Sequence, residues 1–406
     1  MAMTSSHGAA RLGGLRPTAI NRVLQEAWQL QAAGRDLVSL MRGQPDTPTP
    51  PHIVEAACKA IRDGRTGYPD QQGELELRRA VAEKLQRDNG LNYDPDTEIL
   101  ITDGATCGFA TALAVLIDPG DEVLVPDPIY DAYTSPISLW GGWQIKAPAL
   151  VRNGRFTVDQ GVLKAACSPR TRVLLVNTPW NPVGTVLRKH ELEELMTFAA
   201  RRDLFVISDE IYESLVYDGW GHFSPAAVPR VARDWTVLIN SLSKTYCMTG
   251  WRVGYCAGPS DIIQKMLLVL QQFSRGPATF VQDAAVCALR SDQSCVERMR
   301  EEYQRRRDLV LDRLRGIPGV EPLVPEGGLF VMVDVRELGM PSDEVRRFLL
   351  HEAGVIVIDG AAYGRGGEGT LRVSFAAGGE TLERGLERLR QGLLRLSNNL
   401  PAGPKR

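Results

Sequence analysis

The stretch Ser241-Leu-Ser-Lys-Thr-Tyr-Cys-Met-Thr-Gly-Trp-Arg-Val-Gly-Tyr255 places a lysine shortly after an apolar run. The run, Thr236-Val-Leu-Ile-Asn240, is typical of a buried strand. An ammonium group at the end of such a strand is costly to bury without a partner. Lys244 is therefore expected to have a chemical role, because a lysine amine in such a place can bind a carbonyl group as an imine.

Short apolar runs alternate with helical patterns along the chain that precedes this stretch. The runs cover residues 99–101, 122–125, 172–176, 204–207 and 237–239. Runs that are apolar on both faces and alternate with helices indicate a mostly parallel, doubly wound sheet covered on both sides. Ligands of such sheets bind at the carboxyl ends of the strands, and polar side chains follow each of these runs.

The pattern changes from about residue 296, where a long charged helix precedes short strand-like runs and a final amphipathic helix. We therefore predict an α/β fold with a large domain over 44–295 and a smaller α+β domain. The smaller domain combines the N-terminal segment 14–43 with residues 296–397. The ends of the chain, 1–13 and 398–406, are small, polar and rich in Gly and Pro, and are expected to be flexible.

Composition limits the classes of function. The chain has 406 residues, is 44% hydrophobic and carries a formal net charge of −2, so nothing favours binding to nucleic acid or to an anionic membrane. Seven scattered cysteines without a Cys-x-x-Cys pair indicate reduced thiols, with no disulfide framework and no metal site. No apolar leader or spanning stretch is visible, which predicts a cytoplasmic protein.

The polar residues after the runs match what pyridoxal phosphate needs from a protein. That cofactor requires an amine, an anion near its pyridine nitrogen, donors at the ring O3′, a phosphate cradle and a stacked plane. Lys244 supplies the amine, and Asp209, at the end of a buried run, can face the ring nitrogen. Tyr212 and the Asn181 amide can reach O3′, although each taken singly is equally an ordinary buried hydrogen bonder.

The phosphate cradle is predicted from a strand-to-helix turn and the opening stretch. Gly104, Ala105 and Thr106 begin a helix, where backbone N–H groups and the helix dipole favour an anion. Ser241 and Ser243 add hydroxyl groups, and Arg252 adds a forked donor.

The sequence leaves two alternative roles open for each of two tyrosines. Tyr130 either stacks on the ring or packs in the core. Tyr68 lies in an exposed turn, where it is either a surface tyrosine or a phosphate contact lent to a neighbouring subunit.

Taken together, these motifs closely resemble the class I/II aminotransferases, which are fold-type I pyridoxal-phosphate enzymes. The motifs are Ser241-x-x-Lys244 with Arg252, Asn181-Pro, Asp209-x-x-Tyr212 and Leu371-Arg372, in the family's order and spacing. The resemblance runs from about residue 18 to 395. It implies a seven-stranded large-domain sheet, a homodimer with active sites at the interface, and transfer of an amino group from an L-amino acid to a 2-oxo acid. The implied kinetics are ping-pong, through pyridoxamine phosphate.

The resemblance also implies residue roles. Lys244 would be the Schiff-base lysine and proton shuttle, with Asp209 at the pyridine nitrogen and Asn181 and Tyr212 at O3′. Arg372 would clamp the substrate α-carboxylate. The other implied contacts are Tyr130 stacked on the ring, Ala105, Thr106, Ser241 and Arg252 at the phosphate, Tyr68 from the partner subunit, and Gly43 and Asn181 at the substrate.

Substrate and reaction outcome are less constrained by the sequence. Trp180, where relatives usually carry a small or polar residue, is expected to narrow the substrate side or to make it more apolar. Some aspartate-preferring relatives carry a lysine at the position of Thr106, and its absence disfavours an aspartate enzyme without excluding another cation. A β-elimination lyase or a pyridoxal-phosphate-dependent oxidase would use the same residues.

Two other classes of function are disfavoured. A regulatory module fused to a DNA-binding domain would need a preceding winged-helix segment. A nicotinamide enzyme would need Gly-x-Gly-x-x-Gly after its first strand, and the nearest stretch to that motif, residues 360–367, lies late in the chain.

Overall fold

The computed structural model describes Leu12, Leu15, 17–228 and 230–398, and the backbone alone at Arg230 and Val231. Apart from Leu12 and Asn398, the predicted flexible ends lie outside the described residues. The α-helices are α1 (Ala19–Ala32), α2 (Pro51–Arg62), α3 (Leu75–Asn89), α4 (Ala105–Leu116), α5 (Thr134–Leu139), α6 (Gln160–Ala166), α7 (Lys189–Arg201), α8 (Leu242–Thr245), α9 (Ser260–Leu270), α10 (Thr279–Arg290), α11 (Ser294–Leu314), α12 (Ser342–Phe348) and α13 (Gly379–Asn398). The strands are β1 (Val38–Ser39), β2 (Ile99–Thr102), β3 (Glu122–Asp127), β4 (Trp143–Pro148), β5 (Leu150–Arg152), β6 (Arg155–Thr157), β7 (Thr171–Asn177), β8 (Phe205–Asp209), β9 (Thr236–Ser241), β10 (Gly254–Ala257), β11 (Glu321–Leu323), β12 (Phe330–Asp334), β13 (Val355–Ile356), β14 (Ile358–Asp359) and β15 (Thr370–Ser374).

A seven-stranded sheet forms the centre of the larger part of the molecule. Its strand order is β2-β10-β9-β8-β7-β3-β4, and β4, β3, β7, β8 and β9 are parallel to one another. Successive residues of β2 pack on opposite sides, with Ile99 and Ile101 in one apolar cluster and Leu100 in another. The sheet is thus covered on both faces, which confirms the predicted α/β class.

Two strands of this sheet, β4 and β10, were not predicted. β10 lies antiparallel to both β9 and β2, so the chain reverses directly after Lys244 and Arg252. The Gly254–Ala257 run is only four residues long and is entirely buried, and a run this short carries little periodicity to read. The reversal keeps Arg252 near the end of β9, beside Lys244.

A four-stranded antiparallel sheet, in the order β11-β12-β15-β14, forms the centre of the second, smaller part of the molecule. Its apolar side packs against α11 and α13 in one cluster. The apolar run over 355–358 forms two short strands: β13 pairs with β1, and β14 pairs with β15. Helix α12 is followed by a π-helical turn, Leu349–Ala353.

The N-terminal segment is joined to this second part by backbone pairing. Val38 of β1 lies opposite Val355 of β13 in a parallel pair, and α1 packs Val23 and Ala27 in a cluster with Ile356. Among the described residues, no helix is both long and apolar enough to cross a membrane.

Candidate active site

A cavity of about 440 Å³ lies where β8 and β9 end, between the two sheets. The segment that follows β1 and residues of β12 and β15 close its other side. Most of the sequence-predicted site residues line it: Gly43, Ala105, Thr106, Tyr130, Asn181, Asp209, Tyr212, Ser241, Ser243, Lys244, Arg252 and Arg372. The residues come from distant parts of the chain, and the carboxyl ends of parallel strands bring them together, as the fold requires.

Lys244 sits in α8, a single turn that follows β9. Its Nζ donates a hydrogen bond to the Gly43 carbonyl oxygen at 2.8 Å. Burial, together with the charges of Arg252 and Arg372, lowers the pKa of Lys244 to about 8, and Asp209 only partly opposes this shift. Lys244 is therefore close to releasing its proton at neutral pH, which suits a nucleophile or a general base.

Asp209 ends β8 and is 6% exposed. Its Oδ1 accepts from the Ile211 backbone N–H at 3.2 Å, and its Oδ2 accepts from the Tyr133 hydroxyl. Burial raises the pKa of Asp209 to about 6, and the Tyr133 hydrogen bond opposes the rise. Among the described residues, no cation is bonded to this buried carboxylate, so it can accept a cationic N–H.

The loop after β7 places Asn181 at the same end of the sheet. Asn177 links the strands, because its Nδ2 donates to the Asp209 carbonyl oxygen at 3.0 Å and its Oδ1 accepts from the Asn181 N–H at 2.8 Å. Tyr212 lies in the turn after Asp209 and is 3% exposed. Both Asn181 and Tyr212 present polar side chains to the cavity.

Arg372, in the middle of β15, is 2% exposed and faces the cavity from the second sheet. Its guanidinium lies between two rings, 3.9 Å from the Phe330 centroid and 4.7 Å from that of Tyr363. One nitrogen donates to the Met41 carbonyl oxygen at 2.8 Å, another to Asn181 Oδ1 at 3.3 Å, and the buried Nε has no hydrogen-bond partner within the described part of the chain. A fixed guanidinium with an unused donor is suited to a planar carboxylate.

The opposite end of the cavity is built for an anion. Gly104 precedes α4 with φ +82°, and a Cβ there would lie 2.6 Å from an Arg252 guanidinium nitrogen, so only glycine lets the arginine lie across the helix start. Arg252 donates to the Thr249 and Asp103 carbonyl oxygens at 2.9 and 3.2 Å. The first N–H groups of α4 have no helical acceptor, so Ala105 and Thr106 offer donors beside this cation.

The sequence did not reveal two supports of the site. The Tyr133 hydroxyl donates a hydrogen bond to Asp209, and the Tyr133 ring meets the Tyr130 ring edge-on, with ring centroids 5.5 Å apart. Phe330 and Tyr363 fix the plane of Arg372. The spacing of Tyr130 and Tyr133 within one turn was a signal that could have revealed the support from Tyr133. The Phe330 and Tyr363 rings, in contrast, come from elements that meet only in the folded structure.

Three predicted residues are not among those that line the cavity: Gly104, which precedes α4, Trp180 and Tyr68. Trp180 does not line it: the indole is buried against Phe156 and Met332, and its Nε1 donates to the Pro128 carbonyl oxygen at 2.9 Å. The expectation that Trp180 narrows the substrate side is therefore wrong, because the side chain next to Asn181 points toward β12. Tyr68 is 92% exposed and contributes nothing to the cavity of its own chain.

A buried polar network supports the carboxyl ends of β8 and β9 from behind. Within the described part of the chain, Glu210, Glu213 and His222 form the one acidic and imidazole group close enough to hold a metal ion. Glu213, however, accepts from Lys84 and Asn240 at Oε1 and from Asn89 at Oε2, so both of its oxygens are occupied. The network holds the backbone that presents Asp209 and Ser241, and we assign it no metal.

Comparison with known proteins agrees with this geometry. The family model described as "Aminotransferase class I and II" matches residues 35–389. Aromatic-amino-acid aminotransferase 2 of Thermococcus litoralis is 39% identical over 94% of this chain and 97% of that protein. Aspartate/prephenate aminotransferase of Thermus thermophilus is 39% identical over 93% and 96%. The crystal structure of the aspartate aminotransferase from Rhizobium meliloti superimposes with a TM-score of 0.91 at 32% identity, over 95% of this chain and 98% of that one.

The chain belongs to the class I and II aminotransferases. The predictions of the family, the fold-type I class and a transaminase activity are confirmed. The enzyme transfers an amino group from an amino acid to a 2-oxo acid, and its family depends on pyridoxal phosphate.

Proposed function

We propose that the cavity between the two sheets holds pyridoxal 5′-phosphate and an amino-acid substrate, in the orientation that the resemblance implies. A single observation carries the proposal: Lys244, Asp209, Arg252 and Arg372 line one cavity of about 440 Å³. The donor set fits the cofactor, because it offers an amine, a buried anion and an anion cradle. The volume suits a small cofactor with its substrate.

Pyridoxal phosphate, when bound, supplies an aldehyde that condenses with amines and a pyridine ring that draws electrons from the substrate Cα. Lys244 does two things in this proposal. Its amine would hold the cofactor, and when unprotonated its Nζ would take the proton from the substrate Cα. The pKa of about 8 keeps a usable fraction of Nζ unprotonated at neutral pH.

Asp209 is proposed to hold the proton on the pyridine nitrogen. Its pKa is raised mainly because the carboxylate is buried, with a further contribution from the charge of Glu210, and a cationic N–H beside it would lower that pKa and keep it charged. Tyr133 and the Ile211 backbone leave lone pairs of the carboxylate free for this contact. Asn181 and Tyr212 would donate to the ring O3′, and Tyr130 would cover one face of the ring.

The phosphate is proposed to lie on the first turn of α4. Thr106 and Ala105 offer N–H groups there, Ser241 and Ser243 add hydroxyl groups, and Arg252 supplies a full positive charge. Gly104 is required in this proposal because its missing side chain admits the Arg252 guanidinium.

Arg372 is proposed to bind the substrate α-carboxylate through its unpaired Nε and a neighbouring nitrogen. The Phe330 and Tyr363 rings hold its plane, so little orientational freedom is lost on binding. Gly43 lies close to Phe330, since a Cβ would meet that ring at 2.3 Å, and its carbonyl anchors Lys244. The same guanidinium would serve both the amino donor and the 2-oxo acid.

We propose further that the enzyme is a homodimer in which Tyr68 reaches the phosphate of the partner's cofactor. The support is its exposure of 92% in a loop, together with the resemblance to a dimeric family. Hybrid dimers test this: a Lys244→Ala chain paired with a Tyr68→Ala chain should keep one undamaged site of the two. Loss of both sites would refute sharing. The cytoplasmic location remains a prediction from the sequence.

Replacement of the lysine tests the core of the proposal. Lys244→Ala should lose the absorbance of the covalently attached cofactor and nearly all turnover, while the protein still binds the cofactor noncovalently. Retained turnover in the presence of pyridoxal phosphate would remove Lys244 from its role. Thr245→Ser, in the same turn but not among the residues that line the cavity, is a matched control that should keep the attachment.

A donor screen separates transfer from the alternatives. The holoenzyme is mixed with single amino acids, and the change in cofactor absorbance is followed with and without a 2-oxo acid. Transfer requires the 2-oxo acid to restore the original spectrum and to yield the new amino acid. Formation of ammonia alone would favour β-elimination, and formation of peroxide would favour the oxidase.

A further inference from the structure

Among the described residues that line the cavity, four are cationic, and three of them have roles in the proposal above: Lys244, Arg252 and Arg372. The fourth is Arg42, which lies in the segment between β1 and α2. Its residue is exposed, and no acidic side chain of the described chain forms an ion pair with it. Its guanidinium is therefore available to an anion that enters the cavity.

The backbone around Arg42 is fixed at three consecutive residues. The Met41 carbonyl accepts from Arg372 at 2.8 Å, the Arg42 carbonyl accepts from the Ser374 hydroxyl at 2.6 Å, and the Gly43 carbonyl accepts from Lys244 at 2.8 Å. Neighbouring Cα atoms are about 3.8 Å apart. Arg42 is thus the direct chain neighbour of both Met41, whose carbonyl binds Arg372, and Gly43, whose carbonyl binds Lys244.

The wall around this segment is apolar. Ile20 and Leu24 of α1, Met41 and Phe330 contribute side chains to the same cavity. A substrate held at its α-carboxylate by Arg372 would therefore meet hydrocarbon along its side chain. A second, unpaired guanidinium at the border of that hydrocarbon is suited to a second carboxylate, because charge-assisted, forked hydrogen bonds form readily between the two groups.

We propose that Arg42 binds the distal carboxylate of a four- or five-carbon dicarboxylic amino acid and of the matching 2-oxo acid. The inference rests on the proposed function, because it takes Arg372 as the α-carboxylate site. Thr106, at the start of α4, is uncharged, and Arg42 is the one cation among the described cavity-lining residues that has no role in the proposed function. Arg42 is then the residue that favours dicarboxylic over monocarboxylic substrates.

Paired ligands of equal length test the proposal. Binding of glutarate and of valerate to the holoenzyme is measured by titration calorimetry, and kcat/KM is measured for glutamate and for norvaline with one common 2-oxo acid. Arg42→Gln should weaken glutarate about ten- to hundredfold more than valerate, and should lower the glutamate-to-norvaline ratio of kcat/KM by a similar factor. Arg42→Lys should give an intermediate loss. Arg300→Gln, which removes an exposed arginine of α11 outside the cavity, is the matched control.

Two results would overturn the inference. Equal losses for glutarate and valerate would mean that Arg42 only shapes the wall, and no change for either would mean that its side chain faces solvent or a partner subunit. Failure of the proposed function looks different: no amino donor would alter the cofactor absorbance of the wild-type enzyme. That result would overturn both proposals together.

Discussion

The stability of the cofactor-free enzyme should depend on the charge of Asp209. Burial raises the pKa of this carboxyl from its usual 3.8 to about 6, and the difference corresponds to about 3 kcal/mol. Since the pKa of the folded state lies above that of the unfolded state, the ionised form costs stability. The cost is absent below pH 3.8, grows as the pH rises, and is complete above about pH 6. By the same arithmetic, about half of it is present at pH 5.

Asp209→Asn removes the charge while keeping the shape of the side chain. One of the two acceptor oxygens becomes an amide nitrogen, so either Tyr133 or the Ile211 N–H loses its acceptor, at about 1 kcal/mol. The free energy of unfolding of the cofactor-free variant should therefore be about 2 kcal/mol higher than that of the wild type at pH 8. Most of this gain should be lost at pH 5. Urea unfolding of both proteins at one protein concentration measures the difference.

Binding of the cofactor should make the wild type more stable than Asp209→Asn, the reverse of the order without cofactor. A cationic pyridine nitrogen beside Asp209 gains from the carboxylate, so pyridoxal phosphate should stabilise the wild type much more than Asp209→Asn. Asp312→Asn, at an exposed position on α11, serves as the control and should change neither measurement. The reasoning is refuted if the cofactor-free Asp209→Asn protein is no more stable than the wild type at pH 8.

Three further substitutions test the remaining parts of the site. Arg372→Ala should raise KM for the amino donor and for the 2-oxo acid, with a loss of about a hundredfold in kcat/KM, and an effect on only one substrate would contradict the shared carboxylate site. Tyr133→Phe removes a hydrogen bond that lowers the pKa of Asp209, so the acidic limb of the pH–rate profile should move to higher pH, and an unchanged limb would count against it. Gly104→Ala imposes φ +82° on alanine and crowds Arg252, so cofactor retention in equilibrium dialysis should fall about tenfold, and undiminished retention would argue against the cradle.

Much of the cofactor site could be predicted because chemistry restricts residue type at strand ends. Lys244 and Asp209 follow buried runs, where an unpaired charge is costly unless it has a function. Asn181 and Arg372 lie far apart in the chain, and the family motif rather than periodicity identified them. All four line the same cavity.

What the sequence could not supply was the direction of neighbouring side chains and the packing between distant elements. Trp180 precedes Asn181 by one residue in a turn after β7, and its indole packs against Phe156 and Met332 instead of lining the cavity. Phe330 and Tyr363 enclose Arg372 only after β12 pairs with β15. The division into domains at residues 44 and 296 remains a prediction.

The pairing of β1 with β13 has a consequence for how the enzyme is made. Val38 is synthesised early, but β1 cannot pair with β13 until Val355 has been synthesised. The segment after β1 carries the carbonyls of Met41 and Gly43, whose donors are Arg372 and Lys244. The nascent chain can therefore build its central sheet first, while the substrate side of the cavity stays unfinished until the last part of the message is translated. A truncated product that stops before β13 would have the cofactor cradle but could not form the carboxylate clamp.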